Sequence, residues 1–326
     1  MPQPELAGVP VLVTGGAGFI GSHLVDALVA GGARVRVLDN LTTGSRDNLR
    51  QHGDRVELLA LDLRDAAACQ EACRDVQLAF HLAALGSVPR SLEDPASTMA
   101  VNVAGTANLF AAARDAGVRR LVYASSSSVY GDSPGLPKRE GEEGEPLSPY
   151  ALSKVMGEQL ATTFARCFGM QLLGMRYFNV YGPRQSPEGP YAAVVPRFLA
   201  AALAGEAMQI HGDGEQSRDF TYVGDAVAAT VLAAGAPVVA CGRAYNVAGG
   251  VRVTMNELAT TISALAGSTA PPRHGPPRAG DVRHSQADLT AVRRELGYAP
   301  RVPLAAGLRA TWEHGVAPAR GRQAPV

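Results

Sequence analysis

Lysine is nearly absent from this chain: 326 residues hold two, Lys138 and Lys154, against 28 arginines. An ammonium and a guanidinium differ in hydration, geometry and readiness to shed a proton, so each retained lysine calls for a chemical reason. Cysteine is scarce as well. Four thiols (Cys69, Cys73, Cys167, Cys241) in a chain of this length do not suggest a disulfide framework. Cys69 and Cys73 would share one helix face, but no His or further Cys stands near enough in sequence to complete a metal site, so no metal is expected. Neither charge predominates. Lys plus Arg and Asp plus Glu both total 30, which removes the electrostatic reason to expect nucleic acid or an anionic membrane as a partner. Apolar runs long enough to span a bilayer are missing, and Met1–Gly8 lacks the basic and apolar regions of a secretory signal, so the expected address is the cytoplasm. With 46% hydrophobic and 18% charged residues, the composition suits a globular protein large enough for one main domain and a smaller lobe.

The first half alternates short β-branched or apolar runs with Ala-rich amphipathic stretches. Pro10–Thr14, Ala33–Leu38, Val56–Leu61, Val76–His81 and Arg120–Ser125 read as strands; Phe19–Ala30 and Ser97–Ala116 read as helices. This is the pattern of βαβ units, a parallel sheet with helices on both faces. A long helix is expected from about Ser148 to Phe168, then a strand, Gln171–Tyr177. Beyond it, Gly182–Tyr191 and Gly212–Ser217 carry the Gly, Pro and polar residues of loops around a site. Arg243–Val247 reads as one more strand, Val253–Leu265 and Leu289–Leu296 as helices, and Pro271–Pro277 as a turn or linker. The expected architecture is a Rossmann-type, doubly wound parallel α/β sheet, formed by residues 1–177 plus about 223–250. About 178–222 plus 251–326 would form a smaller C-terminal substrate lobe.

The segment Val11-Leu-Val-Thr-Gly-Gly-Ala-Gly-Phe-Ile-Gly21 sets glycines between a strand and a helix. Glycine closes the turn tightly and lets backbone approach a pyrophosphate, while the helix N-terminus offers N–H groups and a positive dipole end. Asp39, at the end of the second strand, stands where a carboxylate would receive the adenosine ribose hydroxyls. There it would repel a 2′-phosphate, favouring NAD over NADP. Asp62-Leu63, closing the third strand, would contact the adenine.

Tyr150-Ala-Leu-Ser-Lys154 opens the long helix, and residues four apart share a face. A phenol, with a pKa near ~10, is a poor base at neutral pH, but a neighbouring ammonium would lower that value. The pair therefore suits proton transfer at a substrate carbinol. The Ser125–Ser128 run, following the fifth strand, could supply a hydroxyl that holds the reacting oxygen in line with the phenol.

Together, the glycine motif, the Ser…Tyr-x-x-x-Lys set and Arg176-Tyr-Phe-Asn-Val-Tyr-Gly-Pro-Arg184 resemble the extended short-chain dehydrogenase/reductases. Within them the chain resembles the NAD-dependent epimerase/dehydratases, from about Val9 to about His314. It is most similar to bacterial UDP-hexose 4-epimerases through Leu85-Gly-Ser-Val-Pro-Arg-Ser91, Ser125-Ser-Ser-Ser-Val-Tyr-Gly-Asp132, Gly212-Asp-Gly-Glu-Gln-Ser-Arg-Asp-Phe220 and Gly280-Asp-Val-Arg-His-Ser285. The resemblance implies Ser126, Tyr150 and Lys154 as catalytic residues, Lys154 also binding the nicotinamide ribose. NAD would be held by Gly15, Gly18, Phe19, Ile20, Gly21, Asp39, Asn40, Asp62, Leu63, Leu82, Ala83, Ala84, Asn102 and Tyr177, together with Tyr150 and Lys154. The UDP-sugar would meet Ser87, Ser126, Ser128, Asn179, Ala193, Val194, Gln209, His211 and Ser285. Arg218 and Arg278 would neutralise its diphosphate, and Asp281 would lie near the uridine ribose.

The reaction so implied is inversion at C4 of a UDP-hexose through a 4-keto sugar. Ser285 falls where the family limits room beside the C2 substituent. A serine there, with Ala192-Ala193 adjoining, leaves space for an N-acetyl group, so UDP-GlcNAc/UDP-GalNAc is expected, alongside or instead of UDP-Glc/UDP-Gal. Ser126-Ser127-Ser128 stands where a dehydratase of the superfamily would carry an Asp-Glu pair. A UDP-glucuronate epimerase or decarboxylase would require a cationic contact for the C6 carboxylate, and a non-catalytic NAD-binding regulator would not need the intact Ser–Tyr–Lys set. The family further implies a homodimer built through Ser97–Ala116 and Tyr150–Phe168.

Overall fold

The structure is a computed structural model that describes residues 5–188, 192–277 and 282–320. Six strands, β1 (Pro10–Thr14), β2 (Arg34–Leu38), β3 (Val56–Leu59), β4 (Leu78–His81), β5 (Arg120–Ser126) and β6 (Gln171–Tyr177), join Arg243–Val247 in one sheet. All seven are parallel, in the spatial order Arg243–Val247, β6, β5, β4, β1, β2, β3. The order reverses between β1 and β4. In a doubly wound sheet that is where a crevice opens beyond the carboxyl ends of the strands.

Alternate residues of each strand supply two apolar layers. Val11, Val13, Val35, Val37, Phe80, Val122 and Met175 pack with Leu24, Leu28, Ala226 and Ala229 of the helices Phe19–Ala30 and Val223–Ala234. Leu12, Ala79, Leu121, Tyr123 and Leu172 face the other way, against Cys69 and Cys73 of Ala66–Cys73, Phe110 and Ala161. The two thiols are thus core residues, and burial pushes both up to about 12. A third cluster, including Tyr181, Phe198, Ile210, Phe220, Leu258 and Leu308, lies apart from the sheet. Leu289, Val292, Leu296 and Tyr298, though within the segment expected in the lobe, pack into the first layer.

Several boundaries differ from the sequence expectation. The third strand ends at Leu59, so Asp62 and Leu63 lie in the turn beyond it, and Asp39 likewise follows Leu38. The fifth strand runs through Ser126, taking in the first two serines of the run. The helix expected from Ser97 begins at Pro95, under an Asp94 cap, and passes through a π turn at Ala100–Gly105 before Thr106–Asp115. Pro271–Pro277 contains a strand, Arg273–Gly275, paired in parallel with Gln209–His211. Among the described residues no helix is long and apolar enough to cross a membrane, and no cluster of His, Cys, Asp or Glu could hold a metal ion.

Candidate active site

The glycine loop is built by close approach. Gly15 takes φ +70°, and a Cβ there would meet the Ala83 amide nitrogen at 2.7 Å; one on Gly21 would stand 2.0 Å from the Gly15 oxygen. Neither position has room for a side chain. Gly18 precedes helix Phe19–Ala30 with no side-chain cap, so the first-turn N–H groups of Phe19, Ile20 and Gly21 are presented for an anion. Asp39 is buried and braces this loop: its carboxylate accepts from the Ala17 amide at 2.9 Å and the Leu41 amide at 2.8 Å. Asn40 donates to Asp62 at 2.9 Å. Asp62 is clasped by Arg64, whose guanidinium hydrogen bonds hold its carboxyl well below the usual range. Leu63 is buried beside Gly105. An uncapped helix start, a tight glycine turn and two carboxylates in the turns that follow successive strands fit a dinucleotide.

At the end of β4, Leu82 and Ala83 donate backbone N–H groups to the Thr14 carbonyl and hydroxyl, with Ala84 next in the chain. His81 bridges the Thr14 hydroxyl at 2.7 Å and the Thr106 hydroxyl at 2.9 Å, and full burial lowers its pKa to about 3. Asn102 lies in the π turn. Its oxygen accepts from the Leu85 amide at 2.8 Å and its nitrogen donates to Ser153 at 3.0 Å, tying that turn to the helix of Tyr150 and Lys154. Tyr177, expected near the cofactor, directs its hydroxyl to Thr230 at 2.6 Å in the core; burial raises it to about 12.

Helix Pro149–Phe168 begins where it does because Ser148 caps it, accepting from the Ala151 amide at 3.1 Å, with Pro149 at the first helical position; Gly169 ends it in the left-handed conformation. This places Tyr150 and Lys154 on one face, the ammonium 5.9 Å from the phenol ring centroid. Lys154 donates to the Ala124 carbonyl of β5 at 2.8 Å. Burial lowers its pKa to about 8, against the opposing charge of Glu158. The lysine was expected to lower the phenol's pKa. Instead burial raises it, a hydrogen bond with Ser126 pulls the other way, and the ammonium is turned towards Ala124. Ser126 also accepts from the Ser128 amide at 3.2 Å, while the Ser128 hydroxyl is buried with no partner in the protein. Both hydroxyls therefore stand at the strand end that faces Tyr150.

The residues expected around the UDP-sugar are only partly gathered. Asn179, Ala193 and Val194 line one cleft of about 330 Å3 with Val88, Gln185 and Phe220. Asn179 is held at φ +37° and donates to the Asp219 carbonyl at 3.0 Å. Ser87 adjoins this cleft and caps the short helix Val88–Glu93. Ser285 is fixed by its amide to the Ser217 carbonyl at 3.0 Å, next to the strand Ser217–Asp219 that carries Arg218. Arg218 bonds the Ser217 carbonyl at 3.0 Å. Gln209 and His211 occupy a strand away from the cleft lining; Gln209 is exposed, and His211 keeps a buried, unpartnered ring nitrogen. Arg278 and Asp281 lie outside the described residues.

Two acidic residues given no role by the sequence prove central. Buried Asp219 accepts from the Gly250 amide at 2.9 Å and the Ala287 amide at 3.2 Å, and burial lifts it to about 6. Glu158 binds Ser125 and Arg176 behind the Tyr–Lys pair. Its place one turn beyond Lys154 was the available signal.

Comparison with known proteins fits this geometry. The model of the NAD dependent epimerase/dehydratase family matches residues 11–248, and the chain belongs to that family. It is 43% identical over 306 residues to a UDP-glucose 4-epimerase of Mycolicibacterium smegmatis, covering 93% of this chain and 97% of that one. The fold superposes on a UDP-glucose 4-epimerase of Thermotoga maritima with UDP-glucose, at TM-score 0.91 and 36% identity over 95% of this chain and all of that one. It superposes equally on a UDP-N-acetylglucosamine 4-epimerase of Methanobrevibacter ruminantium in complex with UDP-N-acetylmuramic acid, at TM-score 0.92 and 37% identity over 96% and 100%. Decarboxylases and dehydratases of nucleotide sugars are also similar, at 33–37% identity. The protein is thus an NAD-dependent enzyme of a nucleotide-sugar family.

Proposed function

We propose that the protein is a UDP-hexose 4-epimerase that interconverts UDP-GlcNAc with UDP-GalNAc, UDP-Glc with UDP-Gal, or both. The observation that carries this is the convergence of Tyr150, Lys154 and Ser126 at the carboxyl end of β5, one strand from the crevice between β1 and β4. When bound, NAD serves as a reversible hydride acceptor for C4 of the sugar. Tyr150 takes the proton of the O4 hydroxyl and later returns it. Lys154, bonded to Ala124 with its ammonium 5.9 Å from the phenol ring, would favour the phenolate as a nearby charge and not through a hydrogen bond, and Ser126 and Ser128 would hold O4 in line.

Epimerisation requires a firm grip on the UDP and a loose one on the hexose, because the keto sugar must present both faces. Arg218 and Arg278 would grip the diphosphate, with Asp281 at the ribose and Gln209 and His211 about the uracil. The small side chains of Ala192, Ala193 and Val194 suit the loose grip. Among the described residues every side chain lining the cleft is uncharged, which favours a neutral hexose over a hexuronate. Ser126-Ser127-Ser128, in place of an acid pair, favours epimerisation over C5–C6 elimination. Ser285 is the reason to extend the substrate range to N-acetylated sugars. A homodimer pairing the segments Ser97–Ala116 and Tyr150–Phe168, in the cytoplasm, is the setting this function would take. Incubation with each UDP-sugar and proton NMR of the products tests the function; a product retaining its C4 configuration contradicts it.

A further inference from the structure

Behind the Tyr–Lys pair, three residues of one helix meet three successive residues of one strand. Tyr150, Lys154 and Glu158 recur every four residues along one face of Pro149–Phe168. Tyr150 engages Ser126, Lys154 bonds the Ala124 carbonyl at 2.8 Å, and Glu158 accepts from the Ser125 hydroxyl at 2.5 Å. Glu158 is also gripped by Arg176 of β6 through Nε at 2.9 Å and Nη2 at 2.7 Å, with its side chain 17% exposed. Arg176 in turn holds Glu143 and donates to the Tyr130 hydroxyl at 3.0 Å.

We propose that Glu158 is a positioning residue of the proton-transfer site: it pins the Ser125–Ser126 end of β5 to the helix and supplies the buried negative charge that keeps Lys154 an ammonium beside Tyr150. This rests on the role given to Tyr150 and Lys154 above. The groups around the lysine leave Glu158 that task. His81 on β4 is neutral, held between two threonine hydroxyls, and Tyr123 on β5 is a buried neutral phenol. Arg176 is a cation, partly neutralised from its far side by Glu143. Burial works against the ammonium, and Glu158 works for it.

The scarcity of lysine makes a direct test possible. Lysine labelled with 13C at Cε gives signals from two residues, and Lys138→Arg assigns them. In Glu158→Gln, which keeps the shape and loses the charge, the Lys154 signal is expected to titrate about one pH unit lower than in the native enzyme. In Glu158→Asp, which keeps the charge, it stays near the native midpoint. Turnover should fall about 5-fold in Glu158→Gln at pH 8, with KM for the UDP-sugar within about twofold. Ser125→Ala, which breaks only the strand contact, should lower turnover without moving the titration, and it tests the pinning should Glu158→Gln fail to fold. An unmoved Lys154 titration in Glu158→Gln, or native turnover in Ser125→Ala, overturns the proposal. Because the titration needs no turnover, a shifted Lys154 in a protein that inverts no UDP-sugar would sink the assigned reaction and leave the role of Glu158 standing.

Discussion

Lys154 is charged below its pKa of about 8 and loses its proton as the pH rises through that value, well below the 10.5 of an ordinary lysine. If the ammonium is what steadies the Tyr150 phenolate, turnover must fall on the alkaline side with a midpoint near 8. A kcat profile taken at saturating substrate from pH 6 to 10 should show this limb; a profile flat to pH 9.5 would detach the lysine from the reaction. Ser285 carries the other residue-scale expectation. Ser285→Tyr should fill the space assigned to the C2 substituent and abolish turnover of UDP-GlcNAc, while UDP-Glc turnover falls less than about 10-fold. Equal loss on both substrates would show that Ser285 does not set the width of the site. At this scale the sequence was most legible where chemistry is local. The four-residue spacing of Tyr150 and Lys154 requires only that a helix form. Glu158 and Arg176 were harder to read, because an acid and an arginine far apart in sequence look like solvated charges until β5, β6 and the helix bring them together.

At the scale of elements, the turn from β1 into helix Phe19–Ala30 is the part on which cofactor binding depends. Gly21→Ala would place its Cβ 2.0 Å from the Gly15 oxygen, so the loop would have to shift. We expect NAD affinity measured by calorimetry to weaken at least about 10-fold, with a loss of roughly 2 kcal/mol in stability. Unchanged NAD binding would mean that the cofactor does not depend on this close approach. The same turn was readable because its glycines, the preceding strand and the following helix are contiguous. The strand Arg273–Gly275 was not, since its hydrogen-bonding partner Gln209–His211 is more than sixty residues away and the prolines on either side of it suggest a linker. The π turn at Ala100–Gly105 escaped for a related reason: apolar periodicity reports which face of a helix is buried but not a single added residue in one turn.

At the scale of the whole molecule, the segment after residue 281 ties together parts of the chain far apart in sequence. Ser285 is held by Ser217, the Gln286 carbonyl accepts from the Lys138 amide at 2.7 Å, and the Ala287 amide meets buried Asp219. This seam fixes Ser285 beside the strand Ser217–Asp219, and no local pattern in the sequence announces it. The doubly wound sheet, by contrast, followed from alternating segments alone: six of its seven strands fall within segments read as strands, and the fifth overruns its segment by one residue, Ser126. What the seam, the cleft and the Tyr–Lys pair together claim is one chemical outcome. The measurement that tests it most directly is proton NMR of the purified protein incubated separately with UDP-GlcNAc and UDP-Glc. The account predicts that at least one is converted to its C4 epimer, approaching the same mixture from either side, with every other ring position unchanged. Elimination, loss of carbon dioxide from a UDP-glucuronate control, or the absence of C4 inversion on both hexoses would contradict it.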